Sequence, residues 1–178
     1  MKDLSLHILD IAHNSIRAKA THILIKVEED TTLDKLKIEI EDDGSGMTPE
    51  QLESITDPFF TTRTTRKVGL GIPLLKQRTE ECNGNFKIDS QIGEGTQLYM
   101  DFQLSHIDLP ELGDIAGVIS GICCSCPTIS FQFEYKTEEV DFVFTTDEVL
   151  EALDGIPINT PEVELFITEM IEGSILSV

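Results

Sequence analysis

Two short glycine motifs in the N-terminal half limit how this chain can fold. The first, at 42–46 (DDGSG), follows the alternating polar and apolar residues 34–42, and the second, at 69–71 (GLG), precedes the helical pattern of 71–82. Alternation with a period of two indicates a strand, and glycine permits a sharp turn of the backbone. We therefore predict a strand that ends in the first glycine turn, a helix that begins at the second, and a loop over 57–70.

The other patterns of this half also alternate between helix and strand. Thr48, Pro49 and Gln51 form the capping signal of a short helix. The predicted order is helix 3–18, strands 22–28 and 34–42, a helix that starts at 49, the loop 57–70, helix 71–82, and strands 84–90 and 96–104. This order predicts an α+β protein, a two-layer α/β sandwich with a mixed sheet and helices on one face.

Residues 107–178 predict a small α+β C-terminal appendage. Its predicted elements are a helix over 112–123, strands over 128–135 and 139–145, and helices over 146–153 and 161–172. A unit of about seventy residues has a marginal core, so we expect it to pack on the first domain or on a partner. We place the domains at 1–106 and 107–178.

The charge of the chain excludes one class of function. Its 178 residues carry a net charge of −20 and only 13 Lys and Arg, whereas a nucleic-acid surface requires a basic patch. No apolar run reaches the ~20 residues of a membrane span, and residues 1–4 lack the layout of a signal peptide. We expect a cytoplasmic protein with neither a nucleic-acid nor a membrane partner.

Four motifs together resemble a known nucleotide site. They are 10–15 (DIAHNS), 42–46, 57–63 (DPFFTTR) and 69–71. In this order and spacing they resemble the ATP site of the GHKL ATPases, which include histidine-kinase catalytic domains, type II topoisomerases and mismatch-repair ATPases. The resemblance covers about residues 3–105, and it implies a Bergerat-type ATP-binding fold with ATP and Mg²⁺ as ligands.

The resemblance implies roles for three residues of the first helix. Asn14 matches the magnesium-binding asparagine, whose amide oxygen suits this cation. Asp10 matches the general-base position one turn earlier, where many members carry Glu and histidine kinases commonly carry Asn. Because Asp is shorter than Glu, we favour contact with the metal or its water over base catalysis, and Asp10 stays the candidate catalytic residue. Arg17 either contacts a phosphate or faces solvent.

The first glycine motif is expected to bind adenine. Asp42 matches the family's aspartate that accepts a hydrogen bond from the exocyclic amine, and Gly44 and Gly46 let the backbone approach the base. Met47 is expected to pack on the ring. Thr96, which follows a third glycine turn, matches a threonine near the same adenine edge.

The segment 57–71 resembles the ATP lid of the family, and of histidine kinases most closely. Its cations are expected to neutralise the triphosphate, and the helix that follows points its N-terminus at the phosphates. The predicted ATP-binding residues of the lid are Phe60, Thr62, Arg63, Arg66, Lys67, Gly69, Leu70 and Gly71. A P-loop motif is absent from the sequence.

The cysteines do not predict a metal site. Cys123, Cys124 and Cys126 are close neighbours, but the fourth, Cys82, lies in the first domain. We favour small buried side chains and one exposed thiol over metal binding, while a redox sensor stays open.

The motifs leave two functions open. The leading hypothesis is a stand-alone Mg-ATP-binding protein that acts in trans on an unidentified protein partner in signalling, as a kinase or a slow ATPase switch. We base "stand-alone" on the absence, before residue 3, of the phosphoacceptor domain that histidine kinases carry there. The alternative is a non-enzymatic, ATP-gated interaction module. The sequence does not decide whether ATP is hydrolysed, transferred or only bound, and it is compatible with an oligomer.

Overall fold

One six-stranded sheet runs through the computed structural model, which describes residues 3–55 and 71–176. Its spatial order is β3-β4-β2-β1-β5-β6. The parallel pair is β1–β5, and the other neighbouring strands are antiparallel, so the predicted mixed sheet is confirmed. The strands are β1 (His22–Asp30), β2 (Lys35–Asp42), β3 (Phe86–Gln91), β4 (Gly95–Gln103), β5 (Ser130–Lys136) and β6 (Asp141–Thr145).

Six helices accompany the sheet within the same described ranges. Each of them lies within a few residues of its predicted position, and the short helix after β2 begins with the predicted capping box. There the Gln51 amide donates to Thr48 Oγ1 at 3.2 Å, and the Thr48 amide donates to Gln51 Oε1 at 2.9 Å. The helices are α1 (Leu4–Arg17), α2 (Pro49–Ile55), α3 (Gly71–Glu81), α4 (Ile115–Ser125), α5 (Thr146–Leu153) and α6 (Pro161–Ile175).

The two faces of the sheet differ in chemistry. On the face covered by helices, alternate residues of the strands are buried and apolar, with Ile38 of β2, Met100 of β4 and Phe133 of β5 fully buried. The other face carries charged side chains, and Lys37 Nζ lies 3.0 Å from Glu28 Oε1 on the neighbouring strand. This division makes the protein the two-layer α+β sandwich that the alternation predicted.

The N-terminal helix α1 is fixed at its start by a cap and by the chain that follows the first domain. Asp3 caps it by accepting from the Leu6 amide at 3.0 Å. The Leu4 amide donates to the carbonyl of Glu111 at 2.9 Å, and the Ser5 amide donates to that of residue 112 at 2.8 Å. Its buried stripe then packs on the sheet, with α3 on one side and α4 on the other.

Residues 107–178 extend the same sheet. β5 pairs with β1 in parallel, with Phe133 opposite Ile25, and α4 packs against both α1 and α6. The Tyr135 hydroxyl of β5 donates to Glu29 Oε1 of β1 at 2.9 Å, so a side-chain hydrogen bond also joins residues 107–178 to residues 1–106. The expected packing of this segment on the first domain thus takes the form of strand pairing, and the boundary after residue 106 stays a prediction.

The cysteines are mostly buried, and the described residues show neither a metal cluster nor a membrane span. Cys82, Cys123 and Cys124 are buried, Cys126 is half-buried, and burial raises the pKa of the Cys124 thiol to about 11. The described residues contain no cluster of His, Cys, Asp and Glu able to hold a metal ion. Over the same part of the chain, each helix is too short or too polar to cross a bilayer.

Because the sheet is continuous, we predict that damage in β5 destabilises the N-terminal strands as well. Phe133→Ala, at a fully buried position, should lower the free energy of unfolding by about 3–5 kcal/mol. Native-state hydrogen exchange should show an equal decrease in the free energy of opening at the Ile38 amide in β2. The control Val143→Ala alters a half-exposed side chain and should change stability by less than about 0.5 kcal/mol. Unchanged protection of Ile38 in Phe133→Ala would mean that the two segments unfold independently.

Candidate functional site

The site is organised around Asp42, the last residue of β2. Its Oδ2 accepts a hydrogen bond of 2.6 Å from the Ser15 hydroxyl on α1, and its Oδ1 accepts one of 2.9 Å from the Gly44 amide. Ser15 is only 2% exposed, so the bond ties the buried side of α1 to the end of the sheet. The carboxylate is thereby held in one orientation, with lone pairs left to accept from a ligand.

Two glycines beside Asp42 are required by close backbone contacts. Gly46 has a φ of +65°, and a Cβ there would lie 1.9 Å from the carbonyl oxygen of Gln91, the last residue of β3. Gly95 has a φ of +101°, and a Cβ there would lie 1.8 Å from the carbonyl oxygen of Asp42. The glycine turns thus let two loops and the end of β2 meet without side chains between them.

Asp43 has a structural role in the same turn. Its Oδ1 accepts from the amides of Thr21 and His22 at 2.7 and 2.8 Å, and its Oδ2 accepts from the Thr21 hydroxyl at 2.6 Å. Desolvation by neighbouring atoms raises the pKa of this carboxyl, but the hydrogen bonds outweigh it and leave the pKa below its ordinary value. Asp43 therefore fastens the turn to the start of β1 and leaves Asp42 to face the cleft.

A cleft of about 450 Å³ opens beside Asp42. Thr96 lies directly opposite Asp42 across the β2–β4 pair, and its hydroxyl is 3.0 Å from the Ser90 hydroxyl. The lining includes four acidic residues and no Lys or Arg among those described, which suits a neutral group with N–H donors. The lining residues are Glu41, Asp42, Leu52, Asp89, Ser90, Gln91, Glu94, Gly95, Thr96 and Gln97.

The three predicted residues of α1 lie along one side of the helix. Arg17 Nη1 donates to Asn14 Oδ1 at 3.1 Å, and both side chains are exposed. Asp10 lies against the first residue of α3, because a Cβ on Gly71 would be 2.7 Å from Asp10 Oδ2. The structure thus brings the first helix motif and the second glycine motif into contact.

The remaining predicted residues fall into two groups. Met47 is half-buried in the segment between β2 and α2, beside the glycine turn. The others lie outside the described residues, and their roles stay predictions: Phe60, Thr62, Arg63, Arg66, Lys67, Gly69 and Leu70.

Ser15 and Leu52 belong to the site, although sequence reasoning assigned them no role. Ser15 occupies the buried stripe of α1, and a hydroxyl among apolar neighbours requires a hydrogen-bond partner. In a helix the carbonyl four residues earlier, here that of Ile11 at 3.3 Å, already offers one, so the sequence does not indicate the shorter bond to Asp42, 27 positions away in β2. Leu52 reaches the cleft only because α2 packs on β3.

The comparison with family models agrees with this geometry. The model described as "Histidine kinase-, DNA gyrase B-, and HSP90-like ATPase" matches residues 2–106. The chain belongs to this ATPase family. The resemblance carried by the four sequence motifs is thereby confirmed.

Curated proteins that are similar to this chain include a sporulation kinase and a sensor histidine kinase. Sporulation kinase C of Bacillus subtilis is 31% identical over 88 residues, which are 49% of this chain and 20% of the kinase. Sensor histidine kinase ZraS of Escherichia coli is 32% identical over 89 residues, which are 50% of this chain and 19% of ZraS. The chain therefore spans a fifth or less of the length of these relatives.

Similar solved structures support the fold. The ATPase domain of MutL from Aquifex aeolicus, complexed with ADP, superposes with a TM-score of 0.53 at 12% identity, covering 76% of this chain and 60% of that one. The N-terminal domain of a DNA repair protein superposes with a TM-score of 0.54 at 18% identity, covering 82% and 52%. At these identities the likeness concerns the fold alone.

We predict that glycine is required at position 46 for lack of space as well as for its left-handed backbone conformation. Gly46→Ala combines a left-handed φ with a collision against Gln91, whereas Gly93→Ala, at a φ of +80°, has no atom within 4 Å of the new Cβ. Chemical denaturation should show a loss of about 1–2 kcal/mol for Gly93→Ala and about 1–3 kcal/mol more for Gly46→Ala. Equal losses in the two variants would show that the turn has room for a side chain.

Proposed function

We propose that this chain binds Mg-ATP in the cleft beside Asp42 and acts on a protein partner. The observation that carries the proposal is the orientation of the Asp42 carboxylate, which Ser15 and Gly44 hold at the cleft opposite Thr96. Membership of the histidine kinase-like ATPase family supports ATP as the ligand.

The adenine end of the site follows from hydrogen-bond chemistry. A carboxylate has acceptor sites on both oxygens, and Asp42 uses one on each for Ser15 and Gly44. A further acceptor site is available to an exocyclic amine, which adenine has and guanine lacks at the corresponding position. The acidic lining of the cleft favours this neutral, donor-bearing edge over a phosphate.

The phosphate end is assigned to α1 and to the start of α3. Asn14 would hold Mg²⁺ through its exposed amide oxygen, which fits the preference of this cation for hard oxygen ligands. The magnesium, when bound, neutralises charge on the triphosphate. Arg17 now donates to that oxygen, so it would turn to a phosphate when the metal binds. The first amides of the eleven-residue helix α3 add donors for an anion.

Asp10 is the candidate catalytic residue, and two roles stay open for it. Its carboxylate lies at Gly71, where α1 meets the N-terminus of α3. As a general base it would take a proton from the attacking group. As a shell residue it would hold a water on the metal, which its short side chain favours.

The action on a partner has two forms. In the first the chain is a trans-acting kinase or a slow ATPase switch in signalling, which is supported by its similarity to a sporulation kinase and a sensor histidine kinase. In the second it is a non-enzymatic module that ATP gates. Release or transfer of the γ-phosphate distinguishes them, because the second form predicts neither.

We expect adenine selectivity to depend on Asp42. ATP with Mg²⁺ should raise the melting temperature of the protein and GTP should not, because Asp42 presents an acceptor. Asp42→Asn, which presents an N–H donor to the amine, should abolish the shift in a thermal-shift assay. Asp89→Asn removes the same charge from the same cleft and should keep the shift. Equal stabilisation by GTP, or a normal ATP shift in Asp42→Asn, would disprove the adenine assignment.

A further prediction separates metal binding from catalysis on α1. Asn14→Ala should remove the Mg²⁺ dependence of ATP affinity in calorimetry, whereas His13→Ala, at the neighbouring exposed position, should preserve it. Asp10→Asn should bind Mg-ATP nearly as the parent does and reduce γ-phosphate turnover. Parental turnover in Asp10→Asn would exclude the general-base role. No turnover in the parent, with ATP bound, would favour the gated module.

A further inference from the structure

An apolar groove lies between β6, α5 and α6, away from the nucleotide cleft. Its volume is about 440 Å³, and its walls are almost entirely apolar. Phe166 of α6 is 58% exposed at this groove and Val143 of β6 is 50% exposed. Large apolar side chains grouped at a concave surface are typical of a binding site. We call this feature the β6–α5–α6 groove.

The strand of this groove is the edge of the sheet. In the part of the chain that the structure describes, β6 pairs with β5 on one side and with no strand on the other. β6 is only five residues long, and its last residue, Thr145, is already the N-cap of α5. So short an edge offers little backbone for an added strand, and binding must rely on the side chains of the groove.

The charge around the groove determines what can bind there. Residues 107–178 contain fifteen Asp and Glu, one Lys and no Arg. Glu148 lines the groove itself, and Asp147 and Glu151 are exposed on the same helix. A second copy of this chain would bring a charge of −20 to an acidic rim, which opposes self-association through this surface. The complementary occupant has apolar side chains and positive charge.

We propose that the β6–α5–α6 groove binds a cationic amphipathic helix of a partner protein. Apolar side chains at helical spacing would fill the groove beside Phe166 and Val149, and flanking Lys or Arg would face Glu148. The hydrophobic contact supplies affinity, and the acidic rim selects cationic helices over anionic ones. The inference rests on the proposed function for the existence of a partner, but groove binding itself requires no nucleotide.

The test uses a synthetic helical peptide of Leu and Lys, about 18 residues long, with Leu at helical i, i+3, i+4 and i+7 spacing. A matched peptide has Glu in place of every Lys. Fluorescence anisotropy with the full chain, at physiological salt and without nucleotide, should show binding of the Lys peptide and not of the Glu peptide.

Variants locate the peptide in the groove. Phe166→Ser should raise the dissociation constant of the Lys peptide at least about tenfold, as loss of a central apolar anchor does. The control Ile107→Ser removes an equally apolar side chain, 95% exposed between β4 and α4, and should leave the constant unchanged. Glu148→Lys changes only an exposed charge on the lining, so it tests the groove even if Phe166→Ser fails to fold. Glu148→Lys should weaken binding of the Lys peptide severalfold and increase binding of the Glu peptide.

Three results would overturn the proposal. They are equal affinity for the two peptides, unchanged affinity in both Phe166→Ser and Glu148→Lys, and a dimer of the free chain, seen by sedimentation, that Phe166→Ser abolishes. Asp42→Asn separates the two proposals, because it should lose the ATP shift and keep peptide binding. If the parent shows the ATP shift but does not bind the Lys peptide, only the groove proposal is rejected. If the parent binds the Lys peptide but shows no ATP shift, only the nucleotide site is rejected.

Discussion

The burial of α1 is the interaction on which the rest of this structure depends. Leu4, Ile8 and Ala12 are buried against the helical face of the sheet, and the helix touches α3 on one side and α4 on the other. This helix therefore contacts both 1–106 and 107–178, which the pairing of β5 with β1 also joins. The same helix carries Asn14 and ties itself to the end of β2 through Ser15, so the packing that stabilises the core also aligns the site.

Electrostatics sets the second constraint. An ATP site must attract a polyanion, yet the chain has a net charge of −20 and the cleft beside Asp42 is lined by carboxylates. A cleft of this kind suits the base rather than the phosphates. The charge of the phosphates has to be met at the other end, where Arg17 and the amides of the α3 N-terminus are available. The site thus has an acidic end, which suits the base of the proposed ligand, and a donor-rich end, which suits its phosphates.

The shared sheet gives the cleft and the groove a common framework. α1 meets the start of α3 at Asp10 and packs on α4 along its other side, and α4 packs on α6, whose Phe166 lines the groove. The contacts of α1 with α4 and of α4 with α6 thus form a continuous path from the cleft to the groove. Such a route is a physical condition for coupling between the two ligands, and coupling, where present, acts equally in both directions.

The sequence by itself determined the order of helices and strands and the family. Periodicity and capping are local properties. The sequence therefore predicted α1, the capping box of Thr48 and the alternating strands. The motif spacing placed Asp42 and Thr96 among the predicted ATP-binding residues, and the structure makes them partners across β2 and β4. Only the tertiary structure decided that β5 joins β1, that Ser15 holds Asp42, and that a groove forms beside Phe166. These features join residues far apart in the chain, and their partners are selected by which surfaces can be buried together, a property that no local pattern contains.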